Sequence, residues 1–214
     1  MEFLPPKIEK YVEEHTTPEP ALLQKLNRET HATVLMPQML SGHVQGRFLK
    51  MLAGMINPAQ VLEIGTYTGY SSLCFAEGMK EGTTVHTIDI NEERAALVNR
   101  YVKQAGEESR IKTYLGNALD IIPTLNYEFD LVFIDADKRN YLNYYKLVFG
   151  KVSKGGYIIA DNVLWSGKVI EQSPKKDEEA RGISEFNDFV INDSRAECVM
   201  VPLRDGITIV RKLV

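Results

Sequence analysis

Two short segments of the sequence place carboxylates beside an amine or an amide, each after a run of apolar residues. Residues 134–138 read Ile-Asp-Ala-Asp-Lys, and residues 159–162 read Ile-Ala-Asp-Asn. Carboxylate and carboxamide oxygens are hard ligands of the kind that Mg²⁺, Ca²⁺ or Mn²⁺ prefers. If the apolar runs are adjacent parallel strands, Asp135, Asp161 and Asn162 meet at one sheet edge and form a candidate metal site. The alternative is purely structural, with the first aspartate capping a helix and the other two residues making a turn.

A third segment, residues 61–73, combines an apolar strand, a turn that contains Gly65 and Gly69, and the start of a helix. Glycines permit a close backbone approach to a ligand, and a helix N-terminus accepts a carboxylate. The spacing is G-x-x-x-G and lacks the third glycine of a dinucleotide fingerprint. Glu63, at the end of the strand, repels a pyrophosphate but attracts the ammonium and sulfonium of S-adenosylmethionine. The segment therefore favours S-adenosylmethionine over a nicotinamide dinucleotide.

Two later positions extend this predicted cofactor site. Asp89 ends the next apolar strand, where an acidic residue suits the two ribose hydroxyls of an adenosine. Gly116-Asn117-Ala118 follows the third strand and is placed to border the adenine. Taken singly, Asp89 is also explained as a helix cap, and the glycines of the preceding turn as simple turn residues. The order in which the acidic residues and glycines occur, each on the expected element, is harder to explain by structure alone.

The apolar periodicity predicts the elements that position these residues. Predicted helices cover Pro6–Glu14, a segment opened by Pro20, Gly42–Met55, Tyr70–Met79, Glu92–Ala105, a turn near Leu119, Tyr141–Phe149 and Gly182–Ile191. Predicted strands cover Gln60–Ile64, Thr83–Ile88, Ile111–Leu115, Leu131–Ile134, Tyr157–Ala160, Ala196–Val201 and Ile207–Leu213. The alternation predicts an α/β fold with a mostly parallel, Rossmann-like sheet covered by helices on both faces. The last two strands flank Asp205–Gly206 and predict a C-terminal antiparallel hairpin. This outline fits class I methyltransferases and dehydrogenases alike.

Composition narrows the class of protein. The 214 residues carry 25 basic and 29 acidic side chains, and the net charge of -4 argues against a nucleic-acid partner. We expect a single domain over residues 1–214, with an N-terminal helical cap (1–56) and a Rossmann-like core (57–214). No apolar run reaches the roughly 20 residues of a membrane span, and the N-terminus does not resemble a signal peptide. The two cysteines show no zinc spacing, and a cytoplasmic location is expected. The charged segment Ser173–Arg181 predicts a surface loop or lid.

The three segments together resemble the caffeoyl-coenzyme A O-methyltransferase family, relatives of catechol O-methyltransferase. The resemblance runs from about Glu29 to the C-terminus. It is carried by E-I-G-T-Y-T-G-Y-S from Glu63, I-D-A-D-K from Ile134 and D-N-V-L-W from Asp161. It implies a homodimer and an S-adenosylmethionine- and divalent-metal-dependent O-methyltransferase, with Mg²⁺ the first choice of metal. The implied acceptor is a small vicinal dihydroxy aromatic compound of the catechol or caffeoyl type.

The resemblance also implies roles for individual residues. It makes Asp135, Asp161 and Asn162 the metal ligands. Residues implied to contact the methyl donor are Ser41, Glu63, Gly65, Thr66, Ser71, Asp89, Ala118 and Asp137. Lys138 stands where the catechol enzymes carry a lysine proposed as general base. Asp135 is the second residue that the resemblance implies to be catalytic. An equally good explanation makes Lys138 a charge partner of Asp135 or Asp137.

The sequence says least about the residues that bind the methyl acceptor. Trp165 and Tyr141 are candidate aromatic walls for a flat substrate, although either can serve as ordinary packing. Ser166 stands where the plant members carry an asparagine associated with the acyl substrate. Gln45 lies in a segment where those members have an acidic residue. Both departures argue against a coenzyme A ester as substrate.

Three other functions are left as alternatives. A nicotinamide-dependent oxidoreductase conflicts with Glu63 and the missing third glycine. A non-catalytic protein that retains the fold conflicts with the complete set of oxygen ligands. A nucleic-acid methyltransferase conflicts with the net charge and with the lack of an Asn-Pro-Pro-Tyr-type motif.

Overall fold

The structure is a computed structural model that describes residues 4–171 and 177–214. The strands found in these residues are β1 (Gln60–Ile64), β2 (Thr84–Asp89), β3 (Ile111–Leu115), β4 (Phe129–Ile134), β5 (Val152–Asp161), β6 (Ala196–Val201) and β7 (Ile207–Lys212). They form one sheet in the order β3-β2-β1-β4-β5-β7-β6. The pairs β1–β4, β2–β3 and β4–β5 are parallel, whereas β5–β7 and β6–β7 are antiparallel. The predicted α/β fold with its terminal hairpin is confirmed.

The helices are close to their predicted positions. They are α1 (Pro6–Glu14), α2 (Ala21–Thr33), α3 (Gly42–Ile56), α4 (Tyr70–Gly78), α5 (Ala95–Ala105), α6 (Ala118–Ile121), α7 (Tyr141–Phe149) and α8 (Glu178–Ile191). Short 3₁₀ turns cover Pro37–Met39, Glu92–Arg94, Ile122–Thr124, Lys138–Asn140 and Trp165–Ile170. None of the helices in the described ranges is both long enough and apolar enough to cross a membrane.

The described residues divide into two compact units. The first unit comprises residues 4–59 and 66–117, and the second comprises 60–65, 118–171 and 177–214. In the first unit, α3 packs against α4, which is buried from Tyr70 to Ala76. Gly78 makes this close packing possible, because a Cβ atom there would lie 2.1 Å from the carbonyl oxygen of Lys50.

The second unit is built around β1, β4, β5 and β7. The inner strand β4 is buried at every position from Leu131 to Ile134, as expected for a strand covered on both faces. Aromatic side chains of α7 pack edge-on against Phe186 of α8, with ring centroids 5.6 Å (Tyr141) and 5.9 Å (Tyr145) away. α7 also contacts β4 and β5, the two strands that precede Asp135 and Asn162.

Two local predictions are wrong. The helical spacing predicts one apolar stripe on α3, formed by Val44, Phe48, Leu49, Leu52 and Met55. Leu49 is buried as predicted, but Met55 is 74% exposed. The buried positions also include Gln45, Arg47 and Ala53. The Arg47 guanidinium is buried because it makes two hydrogen bonds, of 2.8 and 2.7 Å, to the carboxylate of Glu77, so its charge is paired.

The segment Ser173–Arg181 was predicted as a loop, but its last four residues are helical. α8 begins at Glu178 because Asp177 caps it, accepting hydrogen bonds from the backbone N–H groups of Glu179 and Ala180. Residues 173–176 of the predicted loop or lid lie outside the described residues.

Gly182→Ala tests how closely α8 must approach the turn that carries Lys138. A Cβ atom at Gly182 would lie 2.5 Å from the Lys138 carbonyl oxygen and 2.8 Å from the Arg139 Cα. We expect the substitution to lower the free energy of unfolding in urea by about 1–3 kcal/mol, because backbone has to move. Gly150→Ala is the matched control, since its φ is -70° and no atom lies within 4 Å of its Cβ position. Equal unfolding free energies for the two variants would contradict the close approach.

Candidate active site

The turn after β1 is shaped by a neighbouring backbone segment. Gly65 has φ +103°, and a Cβ atom there would lie 1.9 Å from the carbonyl oxygen of Asp135. The N–H of Asp135 in turn donates to the carbonyl oxygen of Ile64 at 2.9 Å. Any residue other than glycine would therefore separate the two strand ends. Glu63, one residue before Ile64, is fully buried and lies opposite Phe133 in the β1–β4 register.

In the first unit, the rest of the turn is held by hydrogen bonds. The hydroxyls of Thr66 and Thr87 lie 2.5 Å apart. The N–H of Gly69, which has φ +83°, donates to the Thr66 carbonyl oxygen at 2.8 Å. The N–H of Tyr67 donates to Oδ2 of Asp89 at 2.7 Å. The turn and the acidic end of β2 are thus one hydrogen-bonded structure.

Asp89 is fixed by three donors. Besides Tyr67, its carboxylate accepts hydrogen bonds from the N–H of Asn91 at 2.8 Å and from the Arg94 guanidinium at 3.1 Å. An ionised carboxylate offers about four acceptor positions, so capacity is left for a ligand hydroxyl. Asp89 and Thr66 also line a cavity of about 190 Å³. The sequence did not single out Arg94, because only the folded chain brings its guanidinium onto Asp89.

Three further residues of the predicted cofactor set are each 7% exposed. Ser41 immediately precedes α3, Ser71 lies in the first turn of α4, and Ala118 opens α6. Just before Ala118, the N–H of Gly116, which has φ +143°, donates to the carbonyl oxygen of Asp89 at 2.9 Å. Their positions agree with the predicted elements, and their contacts with the methyl donor stay predictions.

Lys138 links the ends of two strands in the second unit. Its side chain is 7% exposed, and its Nζ lies 3.0 Å from Oδ1 of Asp135 and 3.0 Å from Oδ1 of Asn162. A third hydrogen bond, of 2.5 Å, goes to the hydroxyl of Tyr141. The three donors of the ammonium therefore have three acceptors. Two of the three predicted metal ligands already lie around one positive charge.

Asp161 and Tyr141 complete the buried side of this cluster. Asp161 is 2% exposed, and its Oδ1 accepts a hydrogen bond from the N–H of Asn162 at 2.8 Å. Tyr141 is fully buried, and its hydroxyl lies 3.2 and 2.9 Å from the carbonyl oxygens of Ile134 and Asp161. Burial, followed by the charges of nearby carboxylates, raises the pKa of Tyr141 well above its usual value. Tyr141 has no exposed surface in this structure, and its predicted place in the acceptor wall stays a prediction.

Asp137 does not serve as the charge partner of Lys138. Its exposed carboxylate accepts hydrogen bonds from the Tyr144 hydroxyl and from Nδ2 of Asn140. Burial, and then the hydrogen bond to Asp137, raise the pKa of Tyr144. Of the two ion pairs that the sequence left open, the structure forms the one between Lys138 and Asp135.

The segment after β5 has an unusual backbone. Asn162, Trp165 and Ser166 have φ values of 57°, 46° and 54°. Left-handed conformations of residues other than glycine cost of order 1–3 kcal/mol each and cluster at functional sites. The ring of Trp165, which is half-buried, lies 6.0 Å from the Lys138 Nζ, whereas Ser166 is exposed.

Within the described residues, no group of three or more His, Cys, Asp and Glu side chains is arranged to hold a metal ion. The predicted ligand set is of another kind, because it combines two carboxylates with the amide of Asn162.

Comparison with known proteins identifies the family. A family model described as O-methyltransferase matches residues 13–213. The caffeoyl-CoA O-methyltransferase of Medicago sativa is 37% identical over 182 residues, which are 79% of this chain and 73% of the relative.

Two solved structures are similar over almost the whole chain. The SAH-bound methyltransferase PaMTH1 of Podospora anserina superposes with a TM-score of 0.90 at 26% identity, covering 100% of each chain. The O-methyltransferase of Bacillus cereus in complex with SAH gives a TM-score of 0.89 at 27% identity, covering 96% of this chain and 97% of the other. These likenesses decide against the oxidoreductase alternative. The chain belongs to the O-methyltransferase family and, within it, to the caffeoyl-CoA O-methyltransferase-like class of S-adenosylmethionine-dependent O-methyltransferases.

Proposed function

We propose that this methyltransferase is metal-dependent and methylates one hydroxyl of a small vicinal dihydroxy aromatic compound. The observation that carries the proposal is the cluster at the ends of β4 and β5. There, oxygens of Asp135 and Asn162 each lie 3.0 Å from the Lys138 ammonium, and the carboxylate of Asp161 adjoins Asn162. A group of oxygens that holds one cation is chemically suited to another.

The donor set fits a divalent cation of the hard class. Two carboxylates supply charge and one carboxamide supplies a neutral oxygen, as in Mg²⁺, Ca²⁺ and Mn²⁺ sites, and Mg²⁺ is our first choice. Three protein ligands leave positions for a chelating pair of substrate oxygens. No sulfur or imidazole side chain belongs to the set, which argues against zinc.

The chemistry needs an oxygen nucleophile at neutral pH. A phenolic hydroxyl has a pKa of about 10 and is mostly protonated. When bound, a divalent cation would supply positive charge that lowers the pKa of such a hydroxyl. Lys138 lies buried beside Asp135 and Asn162, and in its neutral form it would take the hydroxyl proton through Nζ. The acceptor oxygen attacks the sulfonium methyl group in line, and S-adenosylhomocysteine leaves.

In this proposal, holding the two reactants in place contributes at least as much to the rate of methyl transfer as removing the hydroxyl proton. Well-oriented reactants can reach effective molarities of about 10⁵ M or more. Trp165 supports a flat acceptor, because its half-buried ring lies 6.0 Å from the Lys138 Nζ. The resemblance to the plant members puts the exposed Ser166 where they carry an asparagine associated with the acyl substrate. We therefore propose a free catechol-type acceptor in preference to a coenzyme A ester.

On the cofactor side, we propose that Asp89 binds the ribose hydroxyls and that Glu63 attracts the methionine ammonium. Asp89 is suited to this role because three donors hold its carboxylate still beside a cavity. Glu63 is suited because a fully buried carboxylate attracts a cation strongly.

Asp89→Ala tests the ribose contact. Losing the acceptor should weaken S-adenosylmethionine binding by about 1–3 kcal/mol, or roughly 5- to 150-fold in Kd by calorimetry. Glu107→Ala is the matched control, because Glu107 also pairs with an arginine, Arg110, at similar exposure in the same unit. Unchanged affinity in the Asp89 variant, or an equal loss in the control, would remove Asp89 from the cofactor site.

Asp161→Ala tests the metal ligands. We expect catechol methylation to fall by about 10²-fold or more, because several kcal/mol of charge stabilisation are lost. S-adenosylmethionine affinity should stay within about twofold. Asp161→Asn is the companion variant, since its amide oxygen can still accept the Asn162 N–H while the negative charge is gone. In the wild-type protein, excess EDTA should abolish the activity and added Mg²⁺ should restore it. Full activity in EDTA would refute metal dependence.

Lys138→Met tests the general base. Turnover of an ordinary catechol should fall by about 10²-fold at saturating metal and cofactor. An acidic nitrocatechol should lose much less, because its hydroxyl ionises without help. Lys212→Met is the control, because the Lys212 ammonium donates to the carbonyl oxygens of Phe149 and Val152. Equal losses for both acceptors, with metal binding intact by calorimetry and chemistry rate-limiting, would exclude the base role.

A further inference from the structure

The segment that follows β5 is fastened to the turn between β6 and β7. The N–H of Val163 donates to the carbonyl oxygen of Gly206 at 3.2 Å, and the N–H of Leu164 donates to that of Asp205 at 2.9 Å. The N–H of Ser166 donates to Oδ1 of Asp205 at 2.6 Å. Asp205 therefore holds this segment twice, once through its backbone and once through its carboxylate.

The turn that carries Asp205 is itself well supported. The N–H of Gly206 closes it by donating to the carbonyl oxygen of Leu203 at 2.9 Å. Gly206 has φ +84°, and a Cβ atom there would lie 2.5 Å from Cγ of Leu164. The next residue, Ile207, pairs with Asp161 in the β5–β7 ladder. The turn is thus a fixed support placed directly against the segment 162–167.

This support acts on residues that surround Lys138. Asn162 places its amide oxygen 3.0 Å from the Lys138 Nζ, and the Trp165 ring lies 6.0 Å from the same atom. Trp165 and Ser166 adopt left-handed backbone conformations that neither residue type prefers. Such conformations persist only where the surroundings impose them. The hydrogen bond that the Ser166 N–H donates to the Asp205 carboxylate is one such restraint, and bonds to a charged acceptor are among the stronger kinds.

We propose that Asp205 is a positioning residue for the acceptor side of the enzyme. It acts through Ser166 to hold Trp165 beside Lys138, and so fixes the wall against which the aromatic acceptor lies. The link to the acceptor rests on the proposed function, whereas the hold on the segment does not. From the sequence alone, Asp205 is recognised only as one of the two residues, Asp205 and Gly206, that predict the hairpin turn.

The chain offers a direct probe of this segment, because Trp165 is its single tryptophan. Its half-buried indole should meet more water if the restraint is lost. Asp205→Ala should therefore shift the fluorescence emission of Trp165 to longer wavelength and raise its quenching by acrylamide. Asp205→Asn keeps a side-chain oxygen for the Ser166 N–H and should retain both wild-type properties.

The same variants then test the acceptor. With a panel of catechols and Mg²⁺, Asp205→Ala should lower kcat/KM by about tenfold, mainly through KM, because a displaced wall misaligns the ring. The Kd for S-adenosylmethionine should stay within about twofold, and Asp205→Asn should recover most of the loss. Asp130→Ala is the matched control. Its carboxylate also accepts a backbone N–H, from Gln60 at 3.2 Å, but at the beginning of β4.

The outcomes separate the two hypotheses. If Asp205→Ala equals Asp130→Ala in both fluorescence and kinetics, the positioning role is refuted. If the fluorescence changes but kcat/KM does not, Asp205 holds the segment without serving the acceptor, and the proposal is likewise refuted. If the wild-type protein methylates no catechol, the proposed function fails and takes the acceptor role with it. The Trp165 emission then still decides whether Asp205 holds the segment.

Discussion

The interaction on which the candidate site depends is the hydrogen-bonded ammonium of Lys138. It joins Asp135 after β4, Asn162 after β5 and Tyr141 at the start of α7. A buried charge is costly unless every donor is satisfied, and here each of the three donors has an acceptor. The contact therefore fixes the distance between two strand ends. The same oxygens, gathered by one cation, are those that suit a divalent metal.

Two glycines make this arrangement possible by removing side chains on either side of the segment 135–138. Gly65 lies against the carbonyl oxygen of Asp135, and Gly182 lies against that of Lys138. The backbone of the segment is thus confined between the turn after β1 and the helix α8. A well-packed interior resists small displacements, so the carboxylate and the ammonium are held to narrow positions. Rigid placement of this kind is what a transfer reaction between two bound molecules requires.

The acidic end of β2 is organised by a different means. Asp89 receives two backbone N–H groups and one guanidinium, which orient both of its oxygens before any ligand arrives. The guanidinium of Arg94 also lies 5.1 Å from the ring centroid of Tyr67, so one side chain steadies both the acid and the turn. Preorganised acceptors of this type lose little conformational entropy on binding. An acid held in this way is suited to accept hydroxyl groups of a ligand.

The sequence by itself determined the fold and the chemical class. Strand and helix periodicities differ, so β1, β3, α7 and the hairpin could be placed from the order of apolar residues alone. The residues at the strand ends were predictable because parallel strands present their carboxyl ends at one edge. Local spacing could not, however, tell that α3 buries Arg47, because the carboxylate that pairs with it belongs to Glu77 of α4.

Only the tertiary structure decided which charges meet. Lys138 had two candidate partners one and three residues away, and the fold paired it with Asp135 because Asp137 is taken by Tyr144 and Asn140. The fold also buries Tyr141, whose hydroxyl lies within hydrogen-bond distance of the Asp161 carbonyl oxygen. It places the Asp205 carboxylate against Ser166, which lies about forty positions earlier in the chain. A hydrogen bond between residues far apart in the chain produces no periodic pattern in the sequence. It forms only because the fold brings two turns close together in space. Apolar patterns recur along the chain and so disclose the elements, whereas the single contacts that orient a reactive group exist only once those elements have packed.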